Sequence, residues 1–278
     1  MSLFLPLFAA PWNLSVDANL TLNQNAYSNN WVGGELGTLA WAFTTNSVAE
    51  KQIHPKISNK NTLKLAYGQT YMQEKDTKKW LDPIKSTDLI DFESVLRFTL
   101  GGFVDPFIAG RIETQFYDNR DPSLSRFINP LKLTEALGIA RIFIKQEKRE
   151  LSSRLGFGLK QLIDRDVLVG TNRETQTSNY GGLDFVTDFK TPLAKERITY
   201  ISKLNVFQAV FYSESNRLPD SLKNNWKYPD INWENIFTAS ITKYLMVNLY
   251  TQLLYDKEIT TSVRIKEGLA LGLTFKLI

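Results

Sequence analysis

The sequence has no cysteine, only one histidine and no long apolar run. The absence of cysteine excludes disulfide bridges and thiolate metal sites. Because His54 is the only imidazole, a histidine cluster cannot bind a metal, and we predict neither a metal site nor a cofactor. No stretch of about 18 apolar residues occurs, so no transmembrane helix is expected. The alternation of polar and apolar residues is therefore the main evidence for the fold.

The excess of positive charge is small. The chain has 33 lysines and arginines against 29 acidic residues, a net charge of +4. No basic run is long enough for a nucleic-acid-binding arm, so we predict no nucleic-acid partner. His54 falls in a predicted turn, away from any serine or aspartate that it could activate. We therefore predict no catalytic residues and no enzymatic activity.

Residues 12–23 alternate between apolar and polar side chains. The apolar members are Trp12, Leu14, Val16, Ala18, Leu20 and Leu22. A period of two indicates a strand with one apolar and one polar face. This segment is longer than the ~5–6 residues of a typical globular strand. It is long enough for a tilted strand that crosses a bilayer, which needs roughly 9–11 residues.

The same pattern recurs along the chain. We predict twelve strands, at residues 11–23, 36–48, 62–73, 89–101, 106–117, 134–145, 151–162, 181–190, 197–212, 233–242, 245–256 and 262–278. Long polar connections (118–133, 164–180 and 213–232) alternate with short ones (102–105, 146–150, 191–196 and 243–244), although the connections after the second and eleventh strands are exceptions. This segregation is typical of outer-membrane barrels. We predict an all-β fold, a twelve-stranded antiparallel transmembrane β-barrel that forms one domain over residues 11–278.

Charged residues in these strands lie in the phase opposite to the apolar stripe. A lipid-facing Arg or Lys at the bilayer midplane costs about 2–4 kcal/mol, so we expect these charges to face the lumen. The predicted lumen residues are Glu93, Arg97, Arg111, Glu113, Arg154, Lys160, Asp184, Asp188 and Lys203. Two interpretations remain open. The charges could pair across neighbouring strands and close the lumen, or they could line a narrow water-filled pore. A soluble protein of two stacked sheets is a further alternative.

Aromatic residues fall near the predicted strand ends. Closure of the barrel would bring Trp12 and Phe275 to one rim, and the opposite rim would carry Tyr67, Tyr71, Phe116, Trp233 and Tyr255. Such girdles are typical of both membrane interfaces. Aromatic residues also favour strands in general, so the girdle only supports the barrel.

Two groups of residues outside the strands allow alternative interpretations. Residues 1–10 have an apolar core followed by small residues but no basic region, and we interpret them as a signal-peptide remnant whose true start lies upstream. The alternative is an ordinary apolar tail. The aspartates of the predicted outer loops could hold a hard cation, but they match no EF-hand spacing and are typical turn residues. They are Asp118, Asp121, Asp164 and Asp166.

Several short motifs follow one another along the chain. They are Trp31-Val32-Gly33-Gly34, Leu65-Ala66-Tyr67-Gly68, Ile112-Glu113-Thr114-Gln115-Phe116, Tyr255-Asp256-Lys257 and Lys266-Glu267-Gly268-Leu269-Ala270-Leu271-Gly272. From about residue 12 to residue 278, this order resembles the bacterial domain of unknown function family 3078. The resemblance implies a secreted, β-rich protein of the Gram-negative outer membrane. It implies no activity and no site residues.

The sequence thus predicts a bacterial outer-membrane protein that contacts membrane lipid and, during biogenesis, the barrel-assembly machinery. Its predicted function is a porin-like channel for small polar or anionic solutes. The alternative is a non-conducting structural barrel, or one whose long outer loops bind a partner at the cell surface.

Overall fold

The barrel is closed and antiparallel. The computed structural model describes residues 11–28, 35–121, 123–242 and 245–276, and residues 1–10 lie outside this part. The barrel strands are β1 (Asn13–Asn25), β2 (Thr38–His54), β3 (Ile57–Met72), β4 (Ile84–Phe98), β5 (Asp105–Thr114), β8 (Leu131–Lys145), β9 (Glu150–Val169), β10 (Asn172–Leu193), β11 (Ile198–Tyr212), β12 (Asp230–Ser240), β13 (Leu245–Tyr255) and β14 (Arg264–Lys276). A hairpin of β6 (Tyr117–Asp118) and β7 (Arg126–Phe127) lies in the connection between β5 and β8. The predicted twelve-stranded antiparallel barrel is therefore confirmed.

Each barrel strand pairs with its neighbours in chain order, and β14 pairs with β1 to close the sheet. Both the start of β1 and the end of β14 lie at the rim that carries the short turns, which we call the short-turn rim. The opposite rim is the long-loop rim. The second connection was predicted to be of intermediate length, but β2 and β3 are joined by a tight turn at Pro55–Lys56. This connection therefore follows the general rule.

The predicted long loop at residues 164–180 is wrong, because this segment belongs to two strands. β9 runs to Val169 and β10 starts at Asn172, with a turn at Gly170, whose φ is +63°. Residues 172–178 of β10 pair only with β9, so this two-stranded ribbon extends beyond its neighbours at the long-loop rim. A ribbon that covers no core needs no apolar face, which is why its polar residues resemble a loop in the sequence.

The apolar stripe of the barrel strands faces outwards. Leu22, Leu137 and Leu269 are 64%, 63% and 73% exposed, and many other large aliphatic residues of the strands are exposed with them. The buried apolar residues are few, and most of them are small. One cluster of them consists of Phe107, Ala109, Ala136 and Ala140. A soluble protein would bury the apolar face, so this inversion demands an apolar surrounding.

In the part of the chain that the structure describes, no helix has the length and apolar character needed to cross a membrane. The helical structure there is a single turn of 3-10 helix, η1 (Asn225–Lys227), in the connection between β11 and β12.

Candidate functional site

Three charged residues meet near the middle of the lumen. Arg154 of β9 donates to Oε1 of Glu93 on β4 at 2.6 Å, and Nζ of Lys203 on β11 lies 3.0 Å from Oε2 of the same carboxylate. We call these three residues the Glu93 triad. All three side chains are largely buried. Because β4 and β11 lie five places apart in the twelve-stranded barrel, the contact to Lys203 spans almost the full diameter.

A second ion pair crosses the lumen. Nζ of Lys64 on β3 lies 3.0 Å from Oε2 of Glu234 on β12, and these strands are also five places apart. Strands five places apart can touch only across the lumen, so both side chains point into the interior. The alternating charges therefore face the lumen at these positions. The pairs bridge the lumen across its diameter, rather than running only between neighbouring strands.

Other interior charges pair locally, closer to the long-loop rim. Arg111 binds both carboxylate oxygens of Asp91 on the neighbouring strand, at 2.8 and 3.0 Å. The same guanidinium lies 3.2 Å from Glu113, which also pairs with Lys132 at 3.2 Å. A bidentate arginine–carboxylate contact fixes the orientation of both groups. This cluster therefore holds three strands, β4, β5 and β8, in a defined arrangement.

A cavity of about 350 Å³ lies on the long-loop side of the Glu93 triad. Glu93 and Arg154 form its floor, and Ile259 of the connection between β13 and β14 lies at its upper end. Its lining carries five cationic residues (Arg111, Lys132, Arg154, Lys160 and Arg264) and five anionic ones (Glu93, Glu113, Asp184, Asp230 and Asp256). The balance of signs gives the cavity no preference for anions. Ligand pockets typically measure about 300–1,000 Å³, so this cavity suits a small solute.

The nine predicted lumen residues occupy different levels of the interior. Six of them line the cavity: Glu93, Arg111, Glu113, Arg154, Lys160 and Asp184. Lys203 belongs to the Glu93 triad, and Asp188 acts electrostatically on both Arg154 and Lys203. Arg97 lies near the short-turn rim, 3.7 Å from Asp105.

Sequence inspection missed several members of this network. They are Lys64, Asp91, Lys132, Asp230 and Glu234. A strict reading of the alternation would have found Lys64, Asp91 and Glu234, which lie in predicted strands in the same phase as an inward neighbour. It could not have found Lys132 and Asp230, which fell in the predicted connections 118–133 and 213–232. What no strand pattern reveals is the partner across the diameter, because that depends on the cross-section of the closed barrel.

Two phenylalanines also occupy the interior, which the sequence did not suggest. Phe107 is 2% exposed and Phe207 is 3% exposed. The guanidinium carbon of Arg154 lies 5.6 Å from the ring centre of Phe107, and Nζ of Lys160 lies 3.6 Å from that of Phe207. Cation–π contacts of this kind hold a cation away from solvent. The two rings therefore narrow the lumen and position two of its charges.

The structure describes the side chains of six of the seven predicted girdle residues. Tyr67 contacts Phe116 with ring centres 6.1 Å apart, and Trp233 donates its indole N–H to Ser202 at 2.9 Å. The phenol of Tyr71 donates to Gln69, while Tyr255 lines the cavity. At the other rim, Trp12 is exposed beside Lys51. The register places Phe275 opposite Ala18, six residues along from Trp12, and its side chain lies outside the described part.

Three of the four loop aspartates, Asp118, Asp121 and Asp164, pair with arginines, whereas Asp166 accepts from Arg173 through its backbone carbonyl. Asp118 and Asn129 are completely buried between the β6–β7 hairpin and the ribbon, and Asn129 donates to Asp118 at 2.9 Å and to Asp164 at 2.8 Å. Arg126 contacts Asp118 at 2.7 Å, and the exposed Arg120 bridges Asp118 and Asp164. Burial alone would raise the pKa of Asp118, but hydrogen bonds from Arg120 and Asn129 hold it well below its usual value. Nearby, Asp121 pairs with Arg173. These contacts dock the hairpin on the ribbon.

Glu258, in the connection between β13 and β14, gives a pH-dependent prediction. Burial, with the negative charges of Asp256 and Asp230, raises the pKa of Glu258 to about 7. The phenol of Tyr180 donates to Glu258 at 3.3 Å. A raised carboxyl pKa favours the folded loop at low pH, and this stabilisation is lost as the pH rises through about 7. We expect the hydrogen-exchange protection of residues 256–263, corrected for intrinsic rates, to fall between about pH 5 and about pH 8.

The Glu258→Gln variant should remove this pH dependence, since it cannot ionise. Glu174→Gln, on the exposed ribbon, is the matched control and should retain it. An unchanged pH dependence in Glu258→Gln would show that another group controls the loop.

Comparison with solved structures finds barrels with low sequence identity. The outer membrane channel COG4313 from Pseudomonas putida F1 is 13% identical, with 98% of each chain covered and a TM-score of 0.43. The translocator domain of the autotransporter NalP from Neisseria meningitidis is 9% identical, with 94% of this chain and 86% of that chain covered and a TM-score of 0.38. The β-domain of the Bordetella autotransporter BrkA is 10% identical, with coverages of 95% and 98% and a TM-score of 0.36. No curated protein matches the chain.

One family profile matches part of the chain. The matched segment, residues 22–119, includes the motifs around Trp31, Tyr67 and Phe116, whereas the motifs after residue 250 lie beyond it. Residues 29–34, which carry the first of these motifs, lie outside the described structure. The matched family is described as "Protein of unknown function (DUF3078)", and the resemblance predicted from the motifs is confirmed over residues 22–119.

Proposed function

We propose that this protein spans the bacterial outer membrane and forms a narrow passage for small polar solutes. The observation that carries the proposal is the inversion of the barrel. Its outer face is apolar and exposed, while its lumen contains paired charges around a cavity of about 350 Å³. A closed barrel satisfies the hydrogen bonds of its strands internally, which is the condition for crossing lipid with strands. Lipid and the barrel-assembly machinery are its expected partners, and no catalytic role is proposed.

The Glu93 triad is the proposed constriction of this passage. It forms the floor of the cavity, so a solute that enters from the long-loop rim must pass it to reach the short-turn rim. Charged groups at a constriction select solutes by charge and size. Because the cavity lining carries both signs equally, we expect discrimination by size rather than by sign.

Conductance of the purified protein in planar bilayers tests this function. We expect small, discrete current steps in potassium chloride, because three charged side chains obstruct the lumen without filling it. Protein folded in the same detergent and inactivated by boiling is the control for leakage. A folded barrel that inserts but gives no steps above this control would contradict the passage.

A second candidate is a non-conducting barrel whose loops bind a partner. The ion pairs that cross the lumen favour it, since they join strands on opposite sides of the barrel and stabilise a closed state. Shortening the connection at residues 213–229 should then abolish the function in cells, and the purified protein should give no bilayer currents above the boiled control. Equal function with the shortened connection would exclude this candidate.

A further inference from the structure

The seam between β1 and β14 is only partly paired. Its register joins Asp17–Thr21 to Gly272–Lys276, which is five residue pairs. By contrast, β1 pairs with β2 along its whole length, and β13 pairs with β14 as far as Arg264. Residues 22–25 and 264–271 all belong to the described chain, yet no pair joins them across the seam. One edge of each strand is therefore unpaired on the long-loop side.

The unpaired edges lie within the apolar band of the barrel. Leu22 of β1 and Leu269 and Leu271 of β14 are strongly exposed on the outer face, as they would be next to lipid. An unpaired backbone group in hydrocarbon costs several kcal/mol, so irregular edges occur at membrane depth only where they line a cavity or meet water. The seam must therefore be reached by water or by a polar group from the lumen.

The side chains on the lumen side of the seam leave it unobstructed. β14 presents Gly268 and Ala270 in the same phase as Arg264, which lines the cavity. A Cβ atom at Gly268 would meet no heavy atom within 4 Å, so there is open space at this position. On β1 the positions that continued pairing would place opposite them are the polar residues Asn25 and Asn23. Thus no bulky side chain substitutes for the missing strand contacts at Gly268 and Ala270, although Arg264 and Lys266 share their phase nearer the long-loop rim.

Arg264, at the start of the unpaired edge of β14, also lines the cavity, and the cavity combines two kinds of lining. Charges of both signs line it, and Leu254, Ile259 and Phe207 supply apolar surface beside them. The Glu93 triad closes the cavity below. A molecule with a charged head and an apolar chain would therefore match both parts of the lining, and its chain could extend between β1 and β14 into the bilayer.

We propose that the β1–β14 seam is a lateral opening through which an amphiphile moves between the cavity and the bilayer. This role goes beyond axial passage of small polar solutes. The polar head occupies the charged cavity, the acyl-like chain passes between β1 and β14 into the bilayer, and water from the lumen reaches the backbone groups of the unpaired edges. The charge lining does not select the sign of the head group.

Disulfide trapping tests whether the seam is open, and the absence of native cysteine makes the background clean. Asn19→Cys with Thr274→Cys joins a residue pair that is in register. Asn23→Cys with Ala270→Cys would be in register only if the pairing continued. A disulfide forms when the two Cα atoms lie within about 7 Å. We expect rapid oxidation of the first pair and little of the second. Comparable oxidation of both pairs would overturn the proposal.

A photoreactive amphiphile tests the ligand class. The full chain is placed in phospholipid nanodiscs that contain a palmitate analogue with a diazirine on its chain, and the labelled residues are identified by mass spectrometry. We expect labels on the inward positions Asn23, Ala270 and Leu254, as well as on the outward leucines. Labels confined to outward residues would overturn the proposal.

Filling the seam provides the matched comparison. Gly268→Trp places an indole in the open space on the lumen side, and it should remove the inward labels. Gly110→Trp is the control, because Gly110 also has open space around its Cβ position but lies on the outer face of β5, away from the seam. Neither experiment measures current. Inward labelling of a protein that gives no bilayer currents would therefore contradict axial passage and leave the lateral opening supported.

Discussion

The Glu93→Ala variant is expected to conduct ions several-fold better than the wild-type protein. Removal of this carboxylate breaks both contacts of the Glu93 triad, those to Arg154 at 2.6 Å and to Lys203 at 3.0 Å. The two cations then repel each other and are free to move towards the walls, so the floor of the cavity opens. Because two positive charges remain, the enlarged passage should also favour anions. Single-channel conductance and reversal potentials in a salt gradient measure the two effects.

The matched control is Asp188→Asn. Asp188 carries the same charge on the inner face of β10, but in the described residues it forms no direct ion pair, so its substitution should leave the constriction in place. A Glu93→Ala barrel with wild-type conductance would show that the Glu93 triad does not limit passage. Breaking a buried ion pair costs about 3–5 kcal/mol when no water reaches it. Folding of each variant is therefore verified first on SDS gels with and without boiling.

The Gly138→Ala variant is expected to lose most of its folded barrel. Gly138 of β8 lies opposite Gly156 of β9, and a Cβ atom at position 138 would lie 2.2 Å from the carbonyl oxygen of Leu155. That oxygen belongs to the backbone of a paired strand, so only separation of β8 from β9 could relieve the overlap. Overpacking costs about 1–3 kcal/mol where side chains can yield, and here the cost should exceed that range. The folded, fast-migrating band of unboiled protein measures the loss.

Gly110→Ala controls for the change of residue type. A Cβ atom at Gly110 would meet no heavy atom within 4 Å, so this variant should fold like the wild-type protein. Equal amounts of folded Gly138→Ala and Gly110→Ala would mean that β8 and β9 are further apart than the structure places them.

The strands were predictable where they carry an outward apolar stripe, and their ends were not. All twelve barrel strands overlap predicted segments, because alternation marks the apolar outer face of each strand. The ends of β9 and β10 were missed because the ribbon beyond Ile163 has no apolar stripe. The end of β2 was missed for a related reason: its last residues, Glu50–His54, are polar or lie near the tight turn at Pro55. Backbone hydrogen bonds, which need no apolar stripe, extend these strands beyond their predicted ends.

The inward facing of the charges was predictable in outline, whereas their pairing was not. Parity alone assigns Glu93, Arg154 and Lys203 to the lumen, but three separate strands must be brought together before one carboxylate meets both cations. The same holds for Lys64 and Glu234, which are 170 residues apart in the sequence. The interior rings of Phe107 and Phe207 break the apolar-out rule. They are accommodated because small residues such as Gly156 and Gly158 face them from β9.

Fractionation of cells that express the chain with a working signal peptide tests the membrane-spanning barrel most directly. The outer-membrane fraction is run on SDS gels with and without boiling. We predict recovery from the outer membrane and faster migration of the unboiled protein, because a closed barrel with an apolar outer face resists unfolding by detergent. Recovery as a soluble periplasmic protein whose migration does not change on boiling would contradict a membrane-spanning barrel.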